Sequence, residues 1–183
     1  PGAICVEGST SSTGTGETSK AGFYLSAESG CLVEKPCGAI EFYCPTGSGQ
    51  PLDVTPGYYT TPNDSMKEST REGQAECDAG YHCASGRRRP CGSAARFSAA
   101  GALNCTSVAD GFYSTGGTSV NDRTGQSTCE TGTYCVAGIK YPAPVGKYND
   151  KTSVDALAKT KRCPGGKYGS AKGLKTADCS GSC

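Results

Sequence analysis

Cys77, His82 and Cys83, within the heptapeptide CDAGYHC (77–83), are the residues of this chain best suited by type to chemistry. Two thiolates and an imidazole can hold zinc, but a zinc site is built from paired Cys-x-x-Cys knuckles and four converging donors. That spacing is absent, and a second copy of the phrase, CETGTYC (129–135), carries Tyr134 where His82 stands. Disulfide formation is therefore the expectation for these thiols, with no metal and no other cofactor. His82 is also the single histidine of the chain. Any Ser-His-Asp or Cys-His nucleophile would have to use it, and its exchange for Tyr in the copy marks a ring-packing position instead. Paired carboxylates can act without histidine, yet nothing groups the acids here. STGTGETSK (12–20) has neither the Gly-Lys-Ser/Thr ending nor the flanking strand and helix of a phosphate loop. The chain is read as a non-enzyme.

Two other groups of residues point to surface chemistry. Arg87, Arg88 and Arg89 form a basic cluster, a candidate contact for acidic polysaccharide. Asn63-Asp64-Ser65 and Asn104-Cys105-Thr106 are N-glycosylation sequons. Ser/Thr-rich stretches at 9–19, 114–119 and 127–133 offer further hydroxyls for O-linked sugars. Covalent glycans are thus expected at Asn63 and Asn104.

Composition says what must hold these groups in place. Among 183 residues there are only 21 Leu, Ile, Val and Phe, no Trp and one Met, against 27 Gly, 13 Cys and 10 Tyr. So few large apolar side chains cannot form an ordinary core, and covalent staples take over that task. Abundant cysteine implies an oxidising compartment, extracellular or at the cell surface. The net charge of +1 predicts neither nucleic-acid binding nor strong attraction to anionic membrane. No apolar run approaches the ~20 residues that span a bilayer. No secretory leader is present in these residues, so the chain is expected to begin at a mature or internal position.

The cysteines lie in a repeat. REGQAECDAGYHC (71–83) aligns without a gap to RTGQSTCETGTYC (123–135), sharing Arg, two Gly, Gln and both Cys at an offset of 52 residues. Upstream, GYYTT (57–61) corresponds to GFYST (111–115), and a more distant copy runs from GFYLS (22–26) to CGAIEFYC (37–44). A fixed period near 50 marks a modular array. Glycine between the cysteines permits a sharp turn, and Tyr24, Tyr43, Tyr59, Tyr113, Tyr134 and Tyr148 are placed to cover sulfur while keeping a wet hydroxyl. Short strands are predicted at 21–25, 39–43, 57–61, 111–115 and 145–149. One helical turn is predicted at 153–161, with Ser153 as its N-cap.

Cys-x-x-Gly-x-Tyr-Cys, then Gly-x-x-x-x-Pro, then Cys-Pro-x-Gly-x-Tyr, resembles the cysteine-rich repeats of the ephrin-receptor-like and growth-factor-receptor-like class, cousins of the tumour-necrosis-factor-receptor module. The resemblance rests on CDAGYHC (77–83), PCGSAARFS (90–98), CETGTYC (129–135) and CPGGKYGSAKGLKTADC (163–179). It implies a small disulfide-rich fold, an elongated tandem array of short β-hairpin modules with little helix. Such arrays are similar to those of large surface and filament proteins of protists and algae, including mastigoneme-type flagellar hairs. The first unit, with its Ser/Thr/Gly insertion, and the shortened CSGSC (179–183) depart from the pattern. The units read as 1–44, 45–104, 105–162 and a partial 163–183.

Connectivity cannot be deduced from sequence. The module pattern favours the local pairs Cys91–Cys105, Cys163–Cys179, Cys77–Cys83, Cys129–Cys135, Cys37–Cys44 and Cys5–Cys31. Cys183 is left over. An odd cysteine in a secreted chain, and a chain that stops within a repeat phrase, lead to the expectation of a longer array or a covalently linked neighbour. The function expected is a structural segment of an extracellular glycosylated fibre, with identical subunits and glycans as partners, no nucleic acid and no membrane span in this segment. The alternative is a ligand-binding ectodomain of a receptor or adhesin, with Arg87–Arg89 at its contact face.

Overall fold

The computed structural model describes residues 18–28, 31–63 and 65–183. Among them are nine two-stranded antiparallel sheets, two single turns of 3-10 helix and no α-helix. The chain is a small disulfide-rich β-hairpin fold.

The hairpins follow one another in triplets. The first triplet pairs β1 (Phe23–Glu28) with β2 (Cys31–Pro36), β3 (Phe42–Tyr43) with β4 (Leu52–Asp53), and β5 (Tyr58–Thr61) with β6 (Gly73–Glu76). The second pairs β7 (Tyr81–Ala84) with β8 (Arg87–Pro90), β9 (Arg96–Phe97) with β10 (Thr106–Ser107), and β11 (Phe112–Thr115) with β12 (Gly125–Thr128). The third pairs β13 (Thr133–Val136) with β14 (Ile139–Pro142), β15 (Lys147–Tyr148) with β16 (Lys161–Arg162), and β17 (Lys167–Tyr168) with β18 (Gly181–Ser182). The triplets start at Phe23, Tyr81 and Thr133, a different phase from the division at 44/45, 104/105 and 162/163.

The same backbone bonds recur in each triplet. Gly22, Gly80 and Gly132 donate to the carbonyls of Cys44, Ser98 and Asn149 at 2.7, 2.9 and 2.7 Å. Their own carbonyls accept from the N–H of Cys37, Cys91 and Ala143. All three glycines have φ between 79° and 86°. A Cβ at Gly80 would overlap the Asp122 carbonyl, and one at Gly132 the Gly173 carbonyl. Only glycine serves at this corner, because it combines left-handed backbone with close approach.

The residues group into two compact units, Pro1–Cys77 with His82–Arg89, and Asp78–Tyr81 with Pro90–Cys183. In the first, the buried apolar atoms belong to Ile40, Cys37, Cys44, Cys77 and Cys83. Thr60, fully buried, donates its hydroxyl to Ile40 O at 2.7 Å. In the second, Cys91, Cys129, Cys135, Ala143, Tyr148 and Val154 are buried. Among the described residues, cysteine thus makes up four of these five buried apolar residues in the first unit and three of the six in the second, in keeping with the scarcity of Leu, Ile, Val and Phe.

Four of the five predicted strand segments contain β3, β5, β11 and β15, and the segment 21–25 overlaps the first half of β1, which runs on to Glu28. Their partners, with sequences such as GQAE, GQST and KR, carry no apolar alternation and were not foreseen. The predicted helical turn at 153–161 shrinks to Leu157–Lys159, and its N-cap is Ala156, not Ser153. Ser153 sits at φ 58°, with its N–H held by Cys129 O at 2.8 Å, so it is committed to the neighbouring hairpin and cannot start a helix.

Candidate functional site

The structure closes Cys37–Cys44, Cys77–Cys83, Cys91–Cys105, Cys129–Cys135 and Cys163–Cys179. Cys5 and the side chain of Cys31 lie outside the described residues, and so does the Cys5–Cys31 pair. Because Cys77 and Cys83 are joined, they offer no thiolates, and a zinc site built on Cys77, His82 and Cys83 is not formed. Cys183 is the one free cysteine among the described residues, and it is exposed.

The register of the third hairpin in each triplet gives Cys183 a place. Glu76 pairs with Tyr58, Thr128 with Phe112 and Ser182 with Lys167. The next residue in each case donates its N–H to a glycine carbonyl: Cys77 to Gly57 at 2.9 Å, Cys129 to Gly111 at 2.9 Å and Cys183 to Gly166 at 3.0 Å. Cys183 therefore stands where Cys77 and Cys129 stand. Those two each close a ring with a cysteine six residues later.

A second register position was invisible to sequence comparison because its residue type changes. Cys44, Ser98 and Asn149 are equivalent, and all are buried. Cys44 is tied by its disulfide to Cys37. Ser98 Oγ donates to Tyr81 O at 2.6 Å, and Asn149 Nδ2 donates to Thr133 O at 2.5 Å. Tyr81 and Thr133 follow Gly80 and Gly132, so sulfur, hydroxyl and amide fix the same corner. Gln74 and Gln126 form another such pair, accepting the N–H of Thr55 at 2.7 Å and of Ala109 at 2.8 Å. The Gln in both copies of the aligned phrase was the available signal.

The tyrosines serve as platforms for cations. Arg88 lies over the Tyr59 ring at 5.8 Å and its equivalent Lys140 over Tyr113 at 4.2 Å. Lys161 lies over Tyr148 at 5.6 Å, and Tyr134 stacks on Tyr141 with centroids 5.4 Å apart. The Tyr113 hydroxyl, and then Glu130, hold the Lys140 ammonium above its ordinary pKa. Glu130 is held below the usual carboxylate value by its own backbone N–H first and by Lys140 second. Asp122 is the most perturbed acid among the described residues. The Thr118 hydroxyl, then the Ser119 N–H, push it well below the carboxylate range, with bonds of 2.6 Å from each of those donors. These bonds fasten the loop from Thr118 to Asp122.

The arginine cluster occupies β8. Arg87 and Arg89 are exposed and Arg88 is half-buried. Arg87 Nη1 lies 3.0 Å from Glu68 Oε1. A cavity of about 290 Å³ is lined by Arg71, Arg87, Arg88 and Arg89 together with Glu68 and Asn63. A second, of about 330 Å³, is lined by Arg87 and Arg89 with His82, Ala84 and Ser85. Of the sequons, Asn63 and Asn104 are both exposed. Among the described residues no helix is long and apolar enough to cross a membrane, a statement that does not bear on strands. Five disulfides are those of a secreted or extracellular protein.

No protein-family profile matches the chain, and no curated protein matches it.

Proposed function

We propose that this chain is a structural segment of an extracellular, glycosylated fibre or surface filament, extended head to tail through disulfide-stapled hairpin triplets of the kind its cysteine-rich repeats resemble. The observation that supports this reading is the register of Cys183. It occupies the position from which Cys77 and Cys129 each close a ring, and among the described residues it has no partner. In this reading it closes on a cysteine outside the 183 residues, in a following segment or a neighbouring subunit. Each two-stranded sheet leaves edge groups that a neighbour can complete. A head-to-tail contact that does not close on itself yields a filament. Glycans on the exposed Asn63 and Asn104 would shield its polar flank.

Electron microscopy of the native material, combined with peptide mapping under non-reducing conditions, tests the proposal. Filaments with an axial repeat, and Cys183 recovered in a disulfide beyond this chain, are expected. Dispersed single molecules with an alkylatable Cys183 thiol would overturn it.

A further inference from the structure

The molecule as a whole is nearly neutral, at +1, yet four guanidinium groups and a single carboxylate line the cavity beside β8. The fold does not require this concentration of charge. The equivalent strand, β14, forms the same hairpin with Ile139, Lys140 and Tyr141 in place of Arg87, Arg88 and Arg89. The middle cation has a structural use in both strands, over Tyr59 and over Tyr113. The outer two arginines have no cationic counterpart in β14; Arg87 is paired with Glu68 at 3.0 Å, and both arginines remain exposed. They stand two residues apart on one strand, roughly 7 Å along its axis, and each lines both cavities. A ligand that meets both arginines can therefore run across two adjoining openings.

Guanidinium is planar and donates in pairs, which suits carboxylate and sulfate oxygens. Neither cavity is lined by Tyr or Phe on which nucleic-acid bases would stack. Neither exposes a large apolar side chain that would enter a lipid surface; Ile40, in the first lining, is 7% exposed. We propose that Arg87 and Arg89, backed by Arg71, form a binding site for a linear acidic polysaccharide, gripping successive carboxylate or sulfate groups across the two cavities. The site does not depend on the filament reading, since it lies within one compact unit.

The test is calorimetric titration of the purified chain with a size-defined sulfated oligosaccharide of the heparin type and with oligogalacturonate. A single-stranded DNA oligomer and phosphatidylserine vesicles serve as competitors of other classes. At least one of the two sugars should bind, less tightly as salt rises; preference for one tells whether sulfate or carboxylate is read. The variant Arg87→Ile with Arg89→Tyr copies the β14 residues and should keep the thermal transition of the parent. It should lose at least roughly tenfold in affinity, about the worth of one charge-assisted contact. Arg89→Glu should lose as much, and Arg88→Lys should bind as the parent does. Undiminished binding by the double variant, tighter binding of DNA or vesicles than of either sugar, or no binding of either sugar would each overturn the proposal.

Discussion

At the corner made by the glycine that precedes each triplet, three residue types do one job. Asn149 shows how much a single polar side chain carries when the interior is thin. It is 2% exposed, and its amide donates to Thr133 O and Lys151 O while its Oδ1 accepts the Lys151 N–H at 3.0 Å. Asn149→Ala strands these groups in a buried place, and denaturant titration should show a loss of roughly 1–3 kcal/mol. Asn149→Ser, which restores the hydroxyl found at Ser98, should recover part of it. Asp122 makes a prediction in pH. Its folded value is depressed by the Thr118 hydroxyl and the Ser119 N–H, so its contribution is complete above the unfolded value of about 3.9. That contribution declines as pH falls below this point toward the folded value. Amide protection factors at Thr118 and Ser119, corrected for the intrinsic rate, should fall on acidification from about pH 4, and Asp122→Asn should abolish that acid-dependent fall.

At the scale of elements, loop length orders the disulfides. Cys129–Cys135 spans six residues of separation and Cys91–Cys105 spans fourteen. Chain-entropy reasoning gives roughly 2 kcal/mol for the shorter ring and about 3 kcal/mol for the longer. Replacing each pair by Ala should lower the unfolding free energy in that order. The hairpins themselves were only half legible in the sequence. Strands with a ring and a preceding glycine, such as Tyr58–Thr61 and Phe112–Thr115, announced themselves. Partners such as Lys161–Arg162 did not, because two exposed basic residues signal nothing until a register pairs them with Lys147 and Tyr148. The equivalence of Cys44, Ser98 and Asn149 stayed hidden for a related reason: the backbone bond is constant and the side chain is not. Ser153 misled because its hydroxyl fits an N-cap pattern, while a hydrogen bond to Cys129 O holds its backbone elsewhere.

For the whole molecule, stability rests on covalent links more than on buried apolar area. A domain's net stability is typically about 5–15 kcal/mol, and each disulfide contributes about 2–4 kcal/mol of it. Full reduction at neutral pH should abolish the cooperative thermal transition and the near-ultraviolet circular dichroism of the tyrosines. Survival of both would show that the hairpins hold without sulfur. The repeat was legible from its cysteines and glycines, but the arginine cavities were not, since Arg71 and Asn63 meet Arg87 and Arg89 only when the chain is folded. One asymmetry follows from the corner that Cys44, Ser98 and Asn149 share. A reductant can cut the sulfur tether but is indifferent to a hydroxyl or an amide. At that corner, chemical vulnerability has a direction along the polypeptide: the earliest copy is erasable by electrons, and the later two can be undone only by water.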